Sequence, residues 1–79
     1  MAVKYKLTEK GKKARVFEPP LKALIRKSLR GHQRFGLTRE RLEREVERRN
    51  PTVNPIDKRD IAIRLRQLIK EGRVKREFS

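Results

Sequence analysis

Apolar positions recur most regularly between Asp57 and Arg76. Ile61, Leu65, Leu68 and Ile69 stand at i, i+4, i+7 and i+8, one stripe of a 3.6-residue period, and this predicts a helix. Arg59, Ala62, Ile63, Arg66, Gln67 and Lys70 fall on its other side. Asp57 suits the N-cap, Asp60 stands where a capping-box partner would, and Ile56 can staple onto Ile61. Gly72 falls where a helix closes on a left-handed residue, and Arg73-Val74-Lys75-Arg76 then alternates as a strand does.

Two further helices precede this one. Pro19-Pro20 suits a helix start, since a proline in the first turn loses no bond it needs. Leu21, Leu24, Ile25, Ser28 and Leu29 form a stripe up to Gly31, with Lys22, Arg26, Lys27 and Arg30 facing away from it. Residues 31–36 make a loop bounded by glycines. Thr38 then caps a second helix, onto which Leu37 staples through Leu42; Leu42 and Val46 are its only strongly apolar interior positions. Asn50-Pro51 stops it, and residues 52–55 lead into the third helix.

At the N-terminal end Val3, Tyr5 and Leu7 alternate with Lys4 and Lys6, the pattern of a half-buried strand. Thr8 to Lys13 reads as a turn around Gly11, and Ala14 to Phe17 as a second short strand. Two readings of this segment stay open. It is a basic tail, or its strand pairs with the C-terminal one, which has no other obvious partner.

The chain has 79 residues, enough for one domain with a small core, and a domain this size buries only about 60% of its unfolded surface. The organisation expected is a basic strand-and-turn segment over residues 1–17 and a helical domain over 18–79. There are 24 Lys and Arg against 10 Asp and Glu, a net charge of +14, with a pI near 11.3. Such an excess opposes compaction, and its usual use is an anionic partner. Abundant charge of both signs, with no Cys or Trp, also suits a protein from a hot environment, but that does not account for a one-sided surplus. No apolar run approaches the roughly 20 residues that cross a bilayer, and no signal-peptide core is visible, so a cytoplasmic or nucleoid location is expected.

The surplus is unevenly placed. From Thr38 to Arg49 there are five bases and four acids, arranged at i,i+4 as Arg39 with Glu43, Glu40 with Arg44, Arg41 with Glu45 and Glu45 with Arg49. The second helix thus spends its cations on itself. The excess lies on the N-terminal strand (Lys4, Lys6), on the first helix and its loop (Arg26, Arg30, Arg34), and on the third helix and the strand after it.

Clustered Lys and Arg neutralise phosphates without reading sequence, whereas reading needs side chains that reach base edges. Arg59, Arg66 and Gln67 are the candidates for that. Ile63, in the middle of the basic side, suits a thymine methyl or a sugar, or packing against a partner, a second copy or the 52–55 link. His32 has no Cys or second His nearby, which argues against a metal site. Phe35 can stack on a base, but a phenylalanine between two helices more often plugs the core. Tyr5 and Phe78 belong in the small sheet. No isolated carboxylate pair and no Gly-rich phosphate loop is present, so neither catalysis nor a cofactor is expected.

Three short helices followed by a basic strand after Gly72, carried by I-x-x-x-L-x-x-L-I-x-x-G-x-V from Ile61 to Val74, resemble a winged-helix DNA-binding domain. Adding L-x-x-L-I-x-x-S-L from Leu21 to Leu29 and G-L-T-R-x-x-L from Gly36 to Leu42 makes residues 20–76 similar to the globular domain of linker histones. The resemblance implies a mainly α, winged helix-turn-helix fold of three helices, with a two- or three-stranded antiparallel sheet from the terminal strands. It further implies that Arg59, Arg66 and Lys70 enter a major groove while Arg73, Lys75 and Arg76 meet phosphates. The chain departs from that pattern at its end: it stops at Ser79, so neither a second wing strand nor a long basic tail is expected, and the N-terminal strand is the available substitute. Double-stranded DNA is the expected partner, with RNA or the ribosome as the alternative and a homodimer as a further possibility.

Overall fold

The computed structural model describes residues 3–13 and 17–78. Among them the elements run β1 (Val3–Leu7), α1 (Glu9–Lys12), α2 (Pro20–Arg30), α3 (Arg39–Arg49), α4 (Lys58–Lys70) and β2 (Val74–Phe78). The protein is mainly helical with a small antiparallel sheet. β1 pairs with β2 from Val3 opposite Phe78 to Leu7 opposite Val74, so the N-terminal segment is part of the sheet and not a free tail. The expected strand at Ala14 to Phe17 lies outside the described residues except for Phe17, which is exposed and not in a strand.

The helix limits follow local chemistry. Thr38 accepts from Arg41 N, and Asp57 accepts from Arg59 N at 2.9 Å, each satisfying an N–H that its helix cannot. At the other end of α4, Arg73 N donates to Leu68 O and Gly72 N to Ile69 O, the paired bonds of a Schellman closure, with Gly72 at φ +77°. That left-handed residue turns the chain from α4 into β2.

Leu7 and Val74 from the sheet, Ile25 and Leu29 from α2, Leu42 and Val46 from α3, and Ile61, Leu65 and Leu68 from α4 form one buried cluster with Leu37. Burial of each large apolar side chain contributes about 1.5–3 kcal/mol. Leu37 also exchanges both backbone hydrogen bonds with Tyr5, at 2.8 and 3.1 Å, so β1 is held on both of its edges.

Three expectations need correction. Residues 9–12 are one helical turn, capped by Thr8, where a plain turn was expected. Lys22 and Arg26 do not face away from the α2 stripe but are buried. α2 is rotated so that Leu21 and Leu24 reach only a half-buried edge, and the two cations point inward onto carboxylates outside the helix. Lys22 Nζ meets Glu71 Oε2 at 2.7 Å, and Arg26 binds both oxygens of Glu18 at 2.9 and 3.1 Å. The charge lattice expected along α3 is also largely unformed. Glu45 binds Arg48 at 2.8 Å and reaches Arg49 only at 3.7 Å, and among the described residues Arg39, Arg41 and Arg44 form no ion pair.

Candidate nucleic-acid interface

α4 buries Ile61, Leu65 and Leu68, and this sets which of its side chains are left outside. Arg59, Ile63, Arg66 and Lys70 are exposed, and with Ala62 and Gln67 they line a shallow groove of about 430 Å³. Among the described residues, none of the three cations has a carboxylate within ion-pairing distance, and no acid lines the groove. Ile63 is 46% exposed at its centre, an apolar point inside a cationic surface. Gln67 is partly engaged, because its Oε1 accepts from Arg64 at 3.0 Å.

A second groove of about 400 Å³ shares Ala62 and Arg66 with the first and continues it toward the sheet. Its far side is made by Tyr5, Arg39 and Arg76, and its floor by Leu65 and Ile69. Tyr5 and Arg76 are partners across the ladder. Tyr5 spends its backbone bonds on Leu37, so toward β2 it belongs to a non-hydrogen-bonded pair, the type in which side chains approach most closely. Both project on the face that carries Leu7 and Val74, toward the helices. Arg39 arrives there because it opens α3 directly after the Tyr5–Leu37 bridge.

The other expected contacts divide sharply. Arg26 is buried against Glu18 and is not available to a ligand. Arg73 is only 12% exposed, and its Nη1 donates to the carbonyls of Lys10 and Lys13; it fastens α1 to the sheet and does not present its charge. Lys6 and Lys75 stand opposite each other on the outer face of the sheet, and Glu77 lies between them at 2.9 and 3.4 Å. The Lys6 hydrogen bond, with help from Lys75, holds the Glu77 carboxyl below its usual range. Lys4 and Arg30 have no ion pair among the described residues. Arg34 stacks on Phe35 at 5.2 Å, and Phe35 is 67% exposed, so it is not the core plug expected of it. His32 is exposed, and among the described residues no metal-binding cluster exists.

Sequence reasoning missed Tyr5 and Arg39. Tyr5 was placed in the sheet, but its neighbours depend on a strand register with a partner some seventy positions away. Arg39 was assigned to Glu43 by helical spacing, and at the first turn of α3 it points elsewhere.

No helix among the described residues is long and apolar enough to cross a membrane. Comparison of the chain with protein-family models, with curated proteins and with solved structures returns no match.

Proposed function

We propose that this is a non-catalytic protein that binds double-stranded DNA, with α4 laid in the major groove and the β1–β2 sheet beside it on the backbone. The observation that carries the reading is the outer side of α4, where Arg59, Arg66 and Lys70 stand exposed around an apolar Ile63, without acidic partners among the described residues. A major groove about 12 Å wide admits one helix, and thirteen residues span about 20 Å of it. Arg59 and Arg66 have the reach for guanine edges, and Ile63 matches a thymine methyl. The fold reading that goes with it is a winged helix in which the N-terminal strand β1 supplies the pairing that a second wing strand gives elsewhere. The antiparallel pairing of β1 with β2, directly after the helix that carries the cations, supports it.

Competition between duplex DNA and structured RNA, titrated with salt, tests the proposal. An A-form major groove is closed to a helix, so duplex DNA should win. Arg66→Ala and Lys70→Ala should each weaken duplex binding more than Arg44→Ala, which removes the same charge from α3 in a groove lined also by Glu40, Glu43 and Glu47. Equal losses from all three, or a preference for structured RNA, would overturn the proposal.

A further inference from the structure

We infer that the groove between α4, the start of α3 and the sheet is a seat for a single phosphate, closed by Arg39, Arg66 and Arg76 with the Tyr5 hydroxyl as a fourth donor. Three guanidiniums line one groove of about 400 Å³, and among the described residues no carboxylate lines it. None of the three has a hydrogen bond or ion pair from its side chain among the described residues. This is unlike Arg26, Arg73, Arg64 and Arg48, each of which is engaged within the chain. Like charges held together without a counter-ion raise the energy of the folded state, and an anion relieves that.

Arg39 sharpens the point. It occupies the first position of α3, where the helix dipole already presents positive charge and a cation is disfavoured. An anion placed beside it meets the positive end of the helix dipole together with the guanidinium. The floor from Leu65 and Ile69 is apolar and keeps water from that side, which strengthens each charge-assisted bond. Guanidinium is the cation suited to a phosphate, because its donors match two oxygens at once.

The occupant is a phosphodiester of a nucleic-acid strand. Arg66 belongs to this groove and to the outer side of α4, so a strand gripped here is placed next to the groove-reading face. The source of the phosphate rests on the duplex-binding reading; the seat itself does not.

Two measurements on the full chain separate the two claims. In the first, the arginine Nε–H resonances are followed as inorganic phosphate replaces chloride at constant ionic strength. Arg39, Arg66 and Arg76 should move together and saturate while Arg30 and Arg44 stay still; uniform small shifts overturn the seat. In the second, duplex affinity is measured against salt for Arg39→Gln, Arg76→Gln and Arg44→Gln, which change the net charge equally. The first two should lose about fivefold or more beyond Arg44→Gln near 0.15 M salt and flatten the salt slope by about one. Tyr5→Phe, which keeps the ring, should lose about threefold. If Arg39→Gln and Arg76→Gln match Arg44→Gln while Arg66→Ala and Lys70→Ala weaken binding, the seat is overturned and the α4 reading stands. If phosphate moves the three resonances but duplex competes no better than an unstructured polyanion, the seat stands for free phosphate and the duplex reading fails.

Discussion

Thr8 donates its hydroxyl proton to the carbonyl of Gly72 at 2.6 Å, across 64 residues of sequence. The same oxygen accepts from Gly11 N at 3.1 Å, so one side chain caps α1 and fastens it to the turn that ends α4. Thr8→Val keeps the shape and removes both bonds. Chemical denaturation should show a loss of about 1–2 kcal/mol, since each of these two bonds, at or near the surface, is worth about 0.5–1.5 kcal/mol net.

Gly11 faces the backbone of Arg73 so closely that a Cβ there would collide with the carbonyl oxygen. A carbonyl in a bonded turn cannot retreat as a flexible side chain could. Gly11→Ala should cost about 1–3 kcal/mol in the same experiment, although alanine favours helices in general. A neutral or stabilising result would mean that α1 is not seated on the turn.

Gly72 needs a different argument, because its surroundings are open and only its φ of +77° matters. Gly72→Ala should cost about 1–2 kcal/mol, the penalty for an L-residue in the left-handed region. Gly72→Asn should lose less, since asparagine tolerates that conformation.

Glu18 and Arg26 form a bidentate pair whose side chains are 8% and 6% exposed. Glu18→Leu leaves the guanidinium buried and uncompensated, which typically costs about 3–5 kcal/mol. The double variant Glu18→Leu/Arg26→Met removes both charges and should recover most of that loss. Thermal melting of the two variants side by side checks the ordering.

Glu77 ties stability to pH. Its carboxyl titrates below the usual range because Lys6, and then Lys75, bind the charged form. A group depressed on folding stabilises the fold above its unfolded pKa, and that contribution disappears as pH falls through the folded value. The stability difference between the wild type and Glu77→Gln should therefore be constant at neutral pH and shrink on acidification through the carboxylate range. A difference that persists below that range would assign the effect to packing.

Where the fold was legible, the signal was local. Periodicity and caps placed all three long helices, because Thr38, Asp57 and Gly72 act on backbone groups within a few residues of themselves. The β1–β2 pairing was legible only as one of two open readings, because the C-terminal strand had no other obvious partner while the N-terminal segment could also be a basic tail. What stayed hidden depended on distant residues. Nothing near Lys22 announces Glu71, which lies 49 positions away, and nothing on α2 reveals that its rotation buries Arg26 against Glu18. For the candidate site, Arg59, Arg66 and Lys70 were readable as the unburied side of one helix. The Tyr5–Arg39–Arg76 grouping was not, because it is assembled by sheet register and by the Leu37 bridge. Arg73 shows the opposite error: the winged-helix resemblance implies a phosphate contact for it, while two backbone carbonyls of the α1 segment capture it.

The pairing of Val3 with Phe78 also bears on how the molecule folds. β1 precedes every long helix in the sequence and its ladder partner follows them all, so their pairing closes a loop that contains the whole helical part. Closing so long a loop is entropically slow, and until it closes one edge of an apolar-faced strand stays unprotected. This topology predicts helical association first and strand docking last, and a destabilised β1–β2 ladder should therefore speed unfolding more than it slows folding.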